Sequence, residues 1–173
     1  MPKFALVAID GDNIDRTLFG ELKSQLAPGV LVEVIAELLP NHTTWSLGCY
    51  TVPQTDRAMS LQQHYLRELV AAGIAIRRWR RGAIRGRTVG YPDSWLVEQV
   101  VTIWDRFDTL VLVTADRDYV PLLSNAQAMG KDTVVLSPQP VAWPSFVRVH
   151  ELDWLDTQHP GLLRSLIAAP AWI

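Results

Sequence analysis

The sequence is nearly free of cysteine. Cys49 is the single thiol among 173 residues, so no internal disulfide can form. The four histidines show no Cys/His spacing that would build a zinc site. Long hydrophobic runs are missing too, since no apolar stretch approaches the ~20 residues of a membrane helix. The opening MPKF has no apolar leader core, so no signal peptide is expected. Net charge is also small, at −2. Disorder is excluded by a composition that is 49% apolar and 20% charged. The resulting expectation is a cytoplasmic protein without membrane attachment, folded as one domain over residues 1–173.

The charge is balanced in total but not in placement. The segment RRWRRGAIRGR holds Arg77, Arg78, Arg80, Arg81, Arg85 and Arg87 with no acid among them. Such a segment either serves a polyanion or is only a solvated basic hairpin. Trp79 inside it favours the polyanion, because an indole face can stack on a base.

Apolar patterning gives the order of elements. Phe4–Ile9 reads as a strand buried on both faces. Helical spacing follows over Arg16–Ala27, stopped by Pro28-Gly29, and over Val30–Leu39. Trp45–Val52 reads as a strand and Thr55–Ala72 as an amphipathic helix closed by Gly73. Ile74–Trp79 is a strand, and Asp93–Arg106 a helix with Asp93 as its N-cap. Leu110–Thr114 is a strand, Tyr119–Met129 a helix ended by Gly130, and Thr133–Leu136 a further strand. A Pro-rich loop runs to Pro144, and the remainder has no clear pattern; its tryptophans Trp143, Trp154 and Trp172 are expected in the core. Alternating strands and crossover helices imply an α/β fold of three layers, α/β/α, around a mainly parallel sheet.

Two of the apolar strands end in acids. The first gives Asp10, Asp12 and Asn13, and the second gives Asp116 and Asp118. Open α/β sheets bind ligands beyond the carboxyl ends of their strands. If these strands are neighbours, the carboxylates converge, and Asp93 at a helix start joins them. Clustered carboxylates repel one another and are costly to bury. A hard cation such as Mg2+ or Mn2+ relieves that repulsion, and its remaining sites suit water and phosphate. Any one of Asp12, Asp15 and Asp118 is equally readable as a helix N-cap. An EF-hand loop starting at Asp10 fails because its sixth position, which must be Gly, is Asp15.

VAIDGDN, PDSWL and LVTADRDYVPLL followed by AMGKDTVVL, together spanning about Phe4 to Asp156, resemble the three main motifs of the NYN domain family. These are PIN-like ribonucleases related to the limkain and LabA-type proteins. The resemblance implies an acidic nuclease site dependent on Mg2+ or Mn2+. It carries Asp10, Asn13, Asp93, Asp116 and Asp118 over as site residues, and Asp12 stands where relatives often have an acid. Residues 157–173 would be a C-terminal extension. This chain departs from the family in reading Gly90-Tyr91-Pro92-Asp93 where relatives usually read Lys-Gly-x-Asp. Gln99 stands where they often have a second Asp, and Thr114-Ala115 replaces Ser-Gly.

The leading expectation is a metal-dependent endoribonuclease acting on RNA. Asp10, Asp93 and Asp116, with Asp12, would hold the cation, and Asp118 would orient the attacking water. Asn13 would fix Asp10 or a phosphate oxygen, and the six arginines would grip the backbone. One alternative is a catalytically inactive RNA- or protein-binding module on the same fold. Another is a haloacid-dehalogenase-type phosphatase with Asp10 as nucleophile, disfavoured because Lys23 lies too early to be its lysine. Nothing in the sequence settles oligomeric state, and a homodimer stays open.

Overall fold

A computed structural model describes residues 2–17, 25–26, 28–52, 56–79, 82–84, 87–89, 92–139, 141–151 and 167–168. The apolar runs form strands β1 (Lys3–Asp10), β3 (His42–Thr51), β4 (Ile74–Trp79), β7 (Thr109–Val113) and β8 (Asp132–Ser137), and the more polar β9 (Arg148–Glu151) joins them. They make one six-stranded sheet in the order β4-β3-β1-β7-β8-β9. Every neighbouring pair in it is parallel. From β1 the chain first builds outward through β3 to β4, then returns to build β7, β8 and β9 on the other side. Strand order therefore reverses between β1 and β7, which is where open α/β sheets form their ligand crevice. The short strands β2 (Gln25–Leu26) and β10 (Ile167–Ala168) pair antiparallel, as do β5 (Gly82–Ile84) and β6 (Arg87–Val89).

Among the described residues, five α-helices accompany the sheet: α1 (Gly11–Thr17), α2 (Pro28–Leu38), α3 (Asp56–Ala71), α4 (Pro92–Thr102) and α5 (Val120–Ala128). The two-residue period of β1 divides the core between two faces. Ala5, Val7 and Ile9 pack with Leu31 and Val34 of α2 and Tyr65 and Leu69 of α3. Leu6 and Ala8 pack on the other face with Leu96 and Val100 of α4 and Leu122 and Ala126 of α5. The expected three layers are thus present. Gly73 and Gly130 end α3 and α5 at positive φ, 86° and 77°, where a side chain would be strained.

Several boundaries differ from the sequence reading. The first helix starts at Gly11, not Arg16, because the DGDN turn chemistry hides a helix that follows its strand without a loop. Gln25 and Leu26 lie in a strand where a helix was expected, since pairing with a segment over a hundred residues away overrides local propensity. The helix expected to reach Arg106 stops at Thr102 and gives way to a 3-10 turn, Trp104–Arg106. There Trp104 meets Phe107 edge to face, with ring centroids 5.8 Å apart. Strand β9 has no apolar run to announce it and forms by pairing beside β8. Trp143 packs against the core cluster under α4 and α5, as expected; Trp154 and Trp172 lie outside the described residues.

Gly11 joins β1 to α1 under a steric constraint. A Cβ there would fall 2.2 Å from a ring carbon of Tyr50, which is fully buried. Overpacking of this kind costs roughly 1–3 kcal/mol. Gly11→Ala is therefore expected to lower the urea midpoint by that free energy without changing the slope of the transition.

Candidate active site

Asp10 is the last residue of β1 and only 2% exposed. Its parity matches Leu6 and Ala8, which assigns it to the α4/α5 side of the sheet. One carboxylate oxygen accepts the backbone N–H of Asn13 at 3.1 Å. That is an N-cap bond, so Asp10 itself caps α1. The other oxygen accepts the Thr114 hydroxyl at 3.2 Å. Thr114 Oγ1 in turn accepts the Asp116 N–H at 3.0 Å. The Asn13 side-chain oxygen accepts the Ala115 N–H at 2.9 Å. Asp116 then accepts the Asp118 N–H at 2.9 Å, capping the 3-10 turn Arg117–Tyr119. The ends of β1 and β7 are thus laced together by side chains from both acidic motifs.

The local electrostatics follow from this burial. Asp10 is pushed up to about 7, first by burial and then by the carboxylates of Asp93 and Asp12. The Asn13 N–H and the Thr114 hydroxyl oppose that rise without cancelling it. Cys49, paired with Asp10 across the sheet, is pushed up to about 12 by burial and by Asp12, Asp10 and Asp93. A thiol so placed is no nucleophile. The Tyr119 hydroxyl is raised as well, by burial and then by Asp10, Asp93, Cys49 and Asp116. It is buried with no hydrogen-bond partner among the described residues. Four carboxylates, those of Asp10, Asp12, Asp93 and Asp116, therefore act on one small region at the sheet's carboxyl edge.

The remaining candidate residues are spread around this centre. Asp93 is half-buried and sits in the first turn of α4, behind Pro92, rather than at the N-cap. Asp118 is exposed and lines a groove of about 680 Å³ whose apolar walls include Val97, Val101, Leu122 and Met129. Asp12 turns to β3: its carboxylate accepts the Thr51 N–H at 2.7 Å and the Thr51 hydroxyl. Strand register continues from Asp10 through Cys49 to Arg77, with Arg78 paired to Tyr50 one residue further. At two interstrand spacings, these backbone positions lie about 10 Å from the end of β1. Arg77 and Arg78 are exposed. Arg87 belongs to β6, while Arg80, Arg81 and Arg85 lie outside the described residues. Sequence reasoning missed Thr51 and Thr114 as partners of the acids. The hydroxyl beside the A-D-x-D stretch was a usable signal for Thr114; nothing marked Thr51.

The donor set at this edge is all oxygen, which suits Mg2+ or Mn2+. Among the described residues, no three His, Cys, Asp or Glu side chains already close on one point. An ion here would take one or two carboxylates directly, with water and phosphate completing its shell, as Mg2+ commonly does. Also among the described residues, no helix is long and apolar enough to cross a membrane.

Comparison with known proteins agrees with the fold. The family model described as the NYN domain matches residues 5–151. A crystal structure of a protein of unknown function from Vibrio parahaemolyticus superposes with a TM-score of 0.66 at 16% identity, covering 79% of this chain and 82% of that one. No curated protein matches the sequence.

Proposed function

Because the chain belongs to the NYN domain family, and so carries a PIN-like nuclease-type domain, we propose that it is a divalent-metal-dependent ribonuclease. The observation that carries this reading is the state of Asp10. A carboxylate 2% exposed, pushed to about 7 by burial and by the charges of Asp93 and Asp12, is a poor structural choice unless a cation offsets the repulsion. Asp10, Asp93 and Asp116 are the residues that would hold Mg2+ or Mn2+. Bound there, the ion would lower the pKa of an attacking water and neutralise phosphate charge.

The protein's own groups supply positioning. Thr114 and the Asn13 N–H fix the Asp10 carboxylate, and Asn13 holds the loop after β7 through Ala115. The capping bond orients Asp116, leaving its second oxygen for the site. Asp118, exposed two residues after Asp116, would orient the attacking water. Asp12 is engaged by Thr51 and contributes its charge to the region rather than a direct ligand. Arg77 and Arg78 contact the RNA backbone, which positions the strand without reading sequence. The phosphatase reading does not survive family membership.

The test is an end-labelled single-stranded RNA incubated with Mn2+ or with chelator. Cleavage is expected only with the cation, and the products should carry 5′-phosphates. Water attacks phosphorus from outside, so the 2′-hydroxyl takes no part and no cyclic 2′,3′-phosphate should form. Cleavage that persists in chelator removes the acidic cluster as the centre. RNA binding without cleavage under any divalent cation would favour the inactive binding module.

A further inference from the structure

We propose that Gln62 is a positioning residue that holds Arg78 as a fixed phosphate clamp on the α3 side of the edge strand β4. The proposal rests on the RNA-binding part of the reading above, and not on catalysis. Gln62 lies on α3 and makes two hydrogen bonds of opposite sense. Its Nε2 donates to the Thr51 carbonyl at 2.7 Å, and its Oε1 accepts from an Arg78 guanidinium nitrogen at 3.3 Å. Thr51 in turn is held by its N–H and hydroxyl on Asp12. A continuous line of groups therefore runs Asp12–Thr51–Gln62–Arg78, from the helix that follows β1 to the outer strand β4.

The choice of an amide matters for two reasons. Only a side chain with a donor and an acceptor at the same reach can serve a carbonyl on one side and a guanidinium on the other. An amide is also neutral. A carboxylate at position 62 would hold Arg78 more tightly but cancel its charge, whereas glutamine orients the guanidinium and leaves its full positive charge available. Among the described residues, no acid forms an ion pair with Arg78. Among the described residues, one of the five guanidinium donors is used, which leaves the others for a ligand. Arg78 is exposed, and its pairing with Tyr50 puts it near the carboxyl end of β4 on the α2/α3 face of the sheet, the face opposite Asp10. A free arginine loses much rotamer freedom on gripping a phosphate. Gln62 places part of that ordering in the unbound protein.

The experiment measures binding of a fluorescein-labelled single-stranded RNA to the full chain in chelator, so that no substrate is consumed, across a salt series. Arg78→Ala is expected to weaken binding and flatten the log–log salt slope by about one. Gln62→Leu should weaken binding about fivefold with the slope kept, since the contact still forms but is no longer pre-ordered. Gln62→Glu should fall to the level of Arg78→Ala in both affinity and slope, because the new carboxylate neutralises the guanidinium. In the double variant, Gln62→Leu should cost nothing beyond Arg78→Ala. Thermal melts of each protein separate these effects from lost fold stability. If Gln62→Leu costs the same factor with and without Arg78, or if Gln62→Glu binds like wild type, the clamp is wrong while RNA binding stands. If the wild-type protein binds no RNA, the RNA reading fails and the clamp with it.

Discussion

Asp10→Asn should raise the stability of the fold at pH 8 and abolish RNA hydrolysis at the same time. The stability part follows from linkage. Asp10 stands at about 7 in the folded chain against 3.8 when free. A carboxyl raised on folding binds its proton more tightly in the native state, so its contribution is fully present below pH 3.8 and is lost as pH rises through about 7. At pH 8 the folded protein holds a buried, ionised carboxylate at a cost on the order of 4 kcal/mol. Asparagine removes that charge and keeps the cap, since its side-chain oxygen can still accept the Asn13 N–H. In chelator at pH 8, the variant is expected to melt on the order of 10 °C higher than wild type, with the gap closing near pH 4. With Mn2+, wild type should recover part of the difference and the variant none of it. Its turnover should fall by at least about a thousandfold, as for the loss of a principal electrostatic contributor. A variant no more stable than wild type at pH 8 would show that the Asp10 carboxylate is already compensated without a cation.

A second large effect is expected at Asp116. Asp116→Asn should also remove turnover, again by about a thousandfold or more, with little change in stability. Asp116 is half-buried and its capping oxygen is one that asparagine retains. Asp116→Ala, by contrast, leaves the Asp118 N–H without its partner, and the turn into α5 should loosen by about 1 kcal/mol. RNA affinity in the Asn variant should hold or rise slightly, since one carboxylate facing the phosphates is gone. Activity that survives in Asp116→Asn while it is lost in Asp10→Asn would confine the cation to the α1 side of the cleft.

The centre of the sheet could be read from the sequence because β1 and β7 are buried on both faces and appear as unbroken apolar runs. The edge strand Ile74–Trp79 was delimited correctly although Arg77 and Arg78 in it are exposed. Strand β9, polar at Arg148, His150 and Glu151, owes its place to β8 and carried no such mark. The same contrast holds in the candidate site. Asp10, Asp93 and Asp116 follow directly from strand and helix ends, and the structure brings them into one electrostatic region. Which aspartates cap helices was misjudged. The sequence offered Asp12, Asp15 and Asp118, whereas the capping bonds belong to Asp10 and Asp116, the two residues proposed for the cation. Helix α1 starts with no loop after β1, so its true N-cap is disguised as the end of a strand. Gln62 could not be singled out at all, because an amide on an amphipathic helix has no pattern until its partners on β3 and β4 are placed.

Strand β4 ends the sheet on one side, and among the described residues no strand pairs with its outer row of backbone groups. Exposed strand edges of this kind invite association between copies, and charged side chains are a common protection against it. Arg77 and Arg78 sit on that edge strand and are exposed. They therefore guard the molecule against edge-to-edge aggregation, whatever ligand they also hold. Stripping them to alanine bares a stretch reading Ile-Ala-Ile ahead of two new alanines and Trp79. Such a protein would lose solubility as well as grip, and turbidity from stacked strands would be mistaken for a folding defect. Glutamine or serine replacements keep the edge polar and report on the lost charge alone.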